Sequence, residues 1–155
     1  MMRRPRDGEP TFPWCIGLAR YWTDATADGF TLLVAVRCRF GDLMAEHLAL
    51  LDTGAQWSIV GGELAEILEE EAGDPIEIVT MATRLGSVRG GLYRLPVALA
   101  ADDGEDVEVP CTLLLAPSWS GPPVLGYRGL LERIRFALDP GDGPEDQWFS
   151  FGSAG

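Results

Sequence analysis

The sequence predicts a mostly β fold, a closed β-barrel or sandwich carrying one or two short helices. Three observations lead there. Apolar, β-branched runs of strand length recur along the chain, separated by Gly-, Pro- and Asp-rich turns. Only two stretches carry helical spacing, and they do not alternate with strands in a βαβ rhythm. No segment repeats another, so the chain holds one copy of each feature.

The elements follow in order. Residues 1–13, with Pro5, Pro10 and Pro13, read as a flexible extension, and residues 14–155 as a single domain. Phe30 to Phe40 is long and partly alternating, with Gly41-Asp42 as its turn. His47 to Leu51 follows as a second strand, making a hairpin. In Gly62 to Glu70, Leu64, Ile67 and Leu68 share one helical face and the glutamates the solvated one. Ile76 to Leu85 and Leu92 to Ala100 read as extended, joined by the glycine-rich Gly86 to Gly91. Asp102 to Asp106 is a polar turn that lacks a full set of calcium ligands. Val107 to Leu115 is a further strand. Gly129 to Phe136 is predicted as the second helix, and Gln147 to Phe151 as the closing strand.

Composition narrows the function. The 155 residues, 46% hydrophobic, suffice for one domain with a real core. Twelve basic against 24 acidic side chains give a net charge of −12, which disfavours nucleic acid and anionic lipid as partners. Cys15, Cys38 and Cys111 are odd in number and widely spaced, arguing against a disulfide framework and a zinc site. The basic start, Met1 to Arg6, is followed by no apolar run of signal-peptide type, and no segment reaches membrane-spanning length. A cytoplasmic protein with no cofactor and no metal is expected.

One motif carries chemistry. Leu50-Leu51-Asp52-Thr53-Gly54-Ala55 places an aspartate on a tight turn at the end of an apolar strand, and Ser58-Ile59-Val60 runs out of it. Much later, Pro123-Val124-Leu125-Gly126 is a second short apolar strand ending in glycine. Two such strands can pack side by side, the first presenting a carboxylate. Asp-x-Gly is also a common turn sequence, and an aspartate that only caps its own loop is the plain alternative.

This constellation resembles the aspartic proteases, and its small size places the resemblance with the retroviral-type branch, the retropepsins, in a bacterial-like single-domain form. The resemblance covers roughly residues 30–152. It implies an aspartic endopeptidase with Asp52 catalytic and Thr53, Gly54 and Ala55 in the active-site loop. Leu125 and Gly126 are then structural support behind that loop. With one motif per chain, the resemblance implies a homodimer in which Asp52 of each protomer forms a dyad, acting on a polypeptide substrate. Thr53 is expected to bond across the dimer, and Gln147 to Phe151 to help hold it. A flap is implied too, with its tip at Leu85, Gly86 and Ser87, Gly90-Gly91 being the competing position. The sequence departs from the retroviral pattern at Gln56 and Trp57, where an acidic residue usually pairs with an arginine near the later glycine. Tyr127 and Arg128 follow Gly126 here. Trp57 fits either a cleft wall or the core.

Other hydrolase chemistries lack their parts. The one histidine, His47, lies on the strand entering Asp52, and there is no Gly-x-Ser-x-Gly elbow. The alternative of a different class is a dimeric peptide-binding or scaffold module that keeps the fold and cuts slowly or not at all.

Overall fold

The computed structural model describes residues 12–27, 29–83 and 86–154. Its strands are β1 (Gly17–Arg20), β2 (Ala25–Ala27), β3 (Phe30–Leu32), β4 (Ala35–Phe40), β5 (His47–Leu51) and β6 (Ser58–Gly61). They continue, after helix α1 (Gly62–Ala72), with β7 (Glu77–Thr83), β8 (Gly86–Leu99), β9 (Asp103–Gly104) and β10 (Val107–Ala116). The last three are β11 (Val124–Leu125), β12 (Ile134–Asp139) and β13 (Trp148–Ser153). The fold is mostly β, as the sequence predicts.

The barrel closes through six strands. Their order is β10-β6-β11-β5-β4-β8, and β8 returns to pair with β10. Closure removes free edges and packs Val36, Cys38, Phe40, Val97, Leu113 and Leu115 into a fully buried interior. β7 lies outside the ring as the far strand of a hairpin with β8. A second sheet, ordered β12-β13-β1-β9, lies beside the barrel, with Phe149 and Phe151 of β13 buried in the same core. Arg37 joins barrel to sheet: its guanidinium bonds Asp102, whose other carboxylate oxygen accepts the Arg20 N–H at 2.8 Å.

Three expectations change. The predicted strand Phe30 to Phe40 is broken at Leu33-Val34 into β3 and β4, and Leu33 is exposed. The glycine-rich stretch 86–91 is strand, the first half of a long β8. A Cβ on Gly90 would sit 2.3 Å from the Leu115 carbonyl oxygen, so glycine is what lets β8 cross closely over β10. The predicted second helix, Gly129 to Phe136, is one 3-10 turn, Leu131–Arg133, running directly into β12. Leu130, Leu131 and Ile134 suit a helix, but Ile134, Phe136 and Leu138 also alternate, and pairing with β13 decides for the strand. Residues 1–11, most of the expected extension, lie outside the described residues. No described helix is long and apolar enough to cross a membrane.

Candidate active-site loop

Asp52 stands where three strand ends meet. β11 is inserted between β5 and β6, parallel to the first (Val124 opposite Leu50, Leu125 opposite Leu51) and antiparallel to the second (Val124 opposite Ile59). The chain leaving β5 must therefore loop over the end of β11 to reach β6. Asp52 is the first residue of that loop, and its N–H donates to the Leu125 carbonyl at 3.0 Å.

The loop is held by its own backbone. The Asp52 carboxylate accepts the Gly54 N–H at 2.9 Å, and the Ala55 N–H donates to the Asp52 carbonyl at 3.2 Å. This Asx-type turn fixes the carboxylate's direction. A Cβ on Gly54 would press to 3.2 Å from that carboxylate. Asp52 is half-buried, Thr53 and Gly54 are exposed, and Ala55 is half-buried.

The far side of the loop is tied to the residues after β11. Tyr127 N–H donates to the Ala55 carbonyl at 2.9 Å and Arg128 N–H to the Gln56 carbonyl at 3.0 Å. Beneath them, the fully buried Ser58 Oγ accepts the Gly126 N–H at 2.8 Å. Gly126 has no room for a side chain, since its Cβ would lie 2.5 Å from the Trp57 carbonyl group. Leu125 and Gly126 thus back the Asp52 loop. Sequence reasoning passed over Ser58, although a hydroxyl heading the apolar run Ser58-Ile59-Val60 was a visible signal. Arg128 makes no ion pair among the described residues, consistent with the missing acid at Gln56-Trp57.

A separate apolar cluster adjoins the loop. Ile59, Met81, Leu92, Leu114 and Val124 form its buried part, with Ala55, Trp57, Val79 and Trp119 packed around it. Trp57 is therefore shared between cluster and surface. Met81 and Val79 come from the middle and outer part of β7, so the β7–β8 hairpin rests on this cluster nearly to its end.

The hairpin's register, Thr83 opposite Gly86, leaves two residues at its end. Both, Arg84 and Leu85, the latter an expected tip residue, lie outside the described residues. Gly86, at φ +109°, and Ser87 are exposed, with nothing within 4 Å of a Cβ at Gly86. Thr83 Oγ1 donates to the Gly86 carbonyl at 2.6 Å. Gly90 and Gly91 pair with Val79 and Ile78 inside the hairpin, which removes them as candidates for its tip.

The remaining candidates are quiet. His47 is half-buried against Phe40, with ring centroids 5.9 Å apart. Among the described residues, no group of three His, Cys, Asp or Glu is placed to hold a metal ion. The sequence matches no known protein family and no curated protein.

Proposed function

We propose that this chain is a retropepsin-like aspartic endopeptidase, active as a homodimer in which Asp52 of each protomer supplies half of the dyad. The observation that carries the reading is the placement of Asp52: a half-buried carboxylate aimed by the Gly54 N–H, on a loop stretched over β11. A turn aspartate without a task needs no second strand threaded beneath it.

The chemistry follows from two carboxyls sharing one proton, because charges about 3 Å apart cannot both ionise. The ionised Asp52 takes a proton from a water whose oxygen attacks the scissile carbonyl carbon. The protonated Asp52 gives its proton to the carbonyl oxygen. As the tetrahedral adduct collapses, the C–N bond breaks, the leaving nitrogen takes the proton that the first Asp52 drew from the water, and an adduct hydroxyl returns a proton to the other Asp52. An extended polypeptide between loop and hairpin would set apolar side chains against Trp57, Trp119 and Val79.

Asp52→Asn keeps the shape and removes the general base. Hydrolysis of an unfolded protein should fall about a thousandfold or more, with the melting temperature little changed. Activity should also be bell-shaped in pH, the limits belonging to the pair. Equal cleavage by Asp52→Asn overturns the reading. No cleavage by the wild type, together with retained peptide binding, favours the scaffold alternative.

A further inference from the structure

The second sheet ends in a strand whose outer edge has no partner among the described residues, namely β12. We propose that β12 is the seam of the homodimer, two copies pairing antiparallel about a two-fold axis at Ala137. The need for a second copy rests on the reading above; its placement rests on the strand itself.

Backbone geometry allows the seam. Ala154 N–H donates to the Arg133 carbonyl, and the register then turns the polar groups of Arg135, Ala137 and Asp139 toward β13 as well. Those of Phe136 and Leu138 point outward. With the axis at Ala137, Phe136 faces the partner's Leu138, and Leu138 faces the partner's Phe136. These are the two pairs able to exchange N–H···O=C bonds.

The side chains are self-complementary in the same register. Arg135 falls opposite the partner's Asp139, and Asp139 opposite the partner's Arg135. Both are exposed, and neither makes an ion pair among the described residues. Asp139 spends one oxygen on the Gly141 N–H at 2.9 Å. Copies of net charge −12 repel at long range, so a seam between them benefits from charges that alternate in sign and match under the two-fold.

The edge is also continuous with the loop that must be shared. Beside it runs a groove of about 440 Å³, lined by Trp14, Tyr127, Leu131 and Phe136 among others. Tyr127 is half exposed, and its N–H is bonded to Ala55 in the Asp52 loop. The closing strand expected to hold the dimer is not available: β13 has both edges occupied, by β12 and β1.

Sedimentation of the full chain tests the seam. The wild type should dimerise, and Asp139→Arg or Arg135→Asp alone should weaken association about tenfold or more. The double exchange should restore it. Hydrogen exchange adds an independent measure: the Phe136 and Leu138 amides should lose protection on dilution. A monomer at all concentrations, a dimer indifferent to the single reversals, or a double exchange no better than the singles overturns the seam. So does protection that ignores dilution, which would mean that part of the same chain covers the edge. Asp52→Asn should dimerise as the wild type does, since it leaves β12 untouched; a wild type that dimerises through this strand yet cuts nothing refutes the catalytic reading and leaves the seam standing.

Discussion

The Asp52 loop and the β7–β8 hairpin adjoin one apolar cluster, yet they are built on opposite principles. The loop is exposed at Thr53 and Gly54, but its backbone is bonded at Asp52, Ala55 and Gln56 to the chain around β11. Its crossing is so close that Gly126 cannot carry a Cβ. The hairpin is paired to the barrel only through its base. Toward its end, Ala82, Gly86 and Ser87 are exposed, and a Cβ at Gly86 would meet nothing. Exposure therefore does not distinguish the two; the number of backbone ties to neighbouring segments does. Met81 and Val88 stay buried up to two residues from the last pair of the hairpin, so only its outermost residues stand clear of the apolar cluster.

The loop half of this comparison breaks most severely at Gly126. Gly126→Ala forces the chain off Trp57, and overpacking of this kind costs about 1–3 kcal/mol or more. Denaturant midpoints should fall accordingly, and any hydrolysis should fall with them. Ser58→Ala leaves the buried Gly126 N–H without its acceptor, a loss of about 1–3 kcal/mol. A Ser58→Thr variant retains the hydroxyl and should recover the hydrogen-bond part of that loss, so equal instability of both would assign the effect to packing instead.

The hairpin half is sharpened by two valines. Gly90→Val drives a side chain into the Leu115 carbonyl, and thermal melting should show clear destabilisation. Gly86→Val has open space but meets the strain of a φ of +109°, costing about 1–3 kcal/mol. Its melting temperature should fall less than that of Gly90→Val, while turnover drops because the end of the hairpin is restricted. Equal melting temperatures for the two variants would show that the hairpin and the barrel crossing are not distinct.

Acid should act on the barrel rather than on the hairpin through Asp106. The Ala101 N–H, then the Arg39 side chain, hold its carboxyl below the usual aspartate range. A pKa depressed in the fold gives stability that is present above the ordinary value, about pH 4, and lost as pH falls through the folded one. Asp106→Asn should be less stable than wild type at neutral pH, and the two should converge in acid. A constant difference across that range would remove Asp106 from the acid response. The pair is exposed, so the effect is small.

Smallest in consequence, the thiols report which part opens. Burial pushes Cys38 upward and Cys111 up to about 12, keeping both protonated inside the barrel. Half-buried Cys15 should alkylate first at pH 8, and the other two only on global unfolding. Fast labelling of Cys111 would mean that the barrel opens locally.

Local pattern alone located most of the barrel and the motif. His47 to Leu51 is a short apolar run into a turn sequence, Leu64, Ile67 and Leu68 mark one face of α1, and Asp52 to Ala55 is legible from its own residues. These signals survive because they depend on neighbours within a few residues. What the tertiary structure decided is where distant segments meet. Ile134 to Asp139 carries both helical and strand spacing, and only β13 alongside resolves it. Gly90 and Gly91 look like a turn until β10 passes beneath them. Ser58 looks incidental until Gly126, 68 residues later, places an N–H on its hydroxyl. A loop threaded over a strand is a property of the closed barrel, since hydrogen bonds across that separation follow from how the strands are ordered and leave no trace in local spacing.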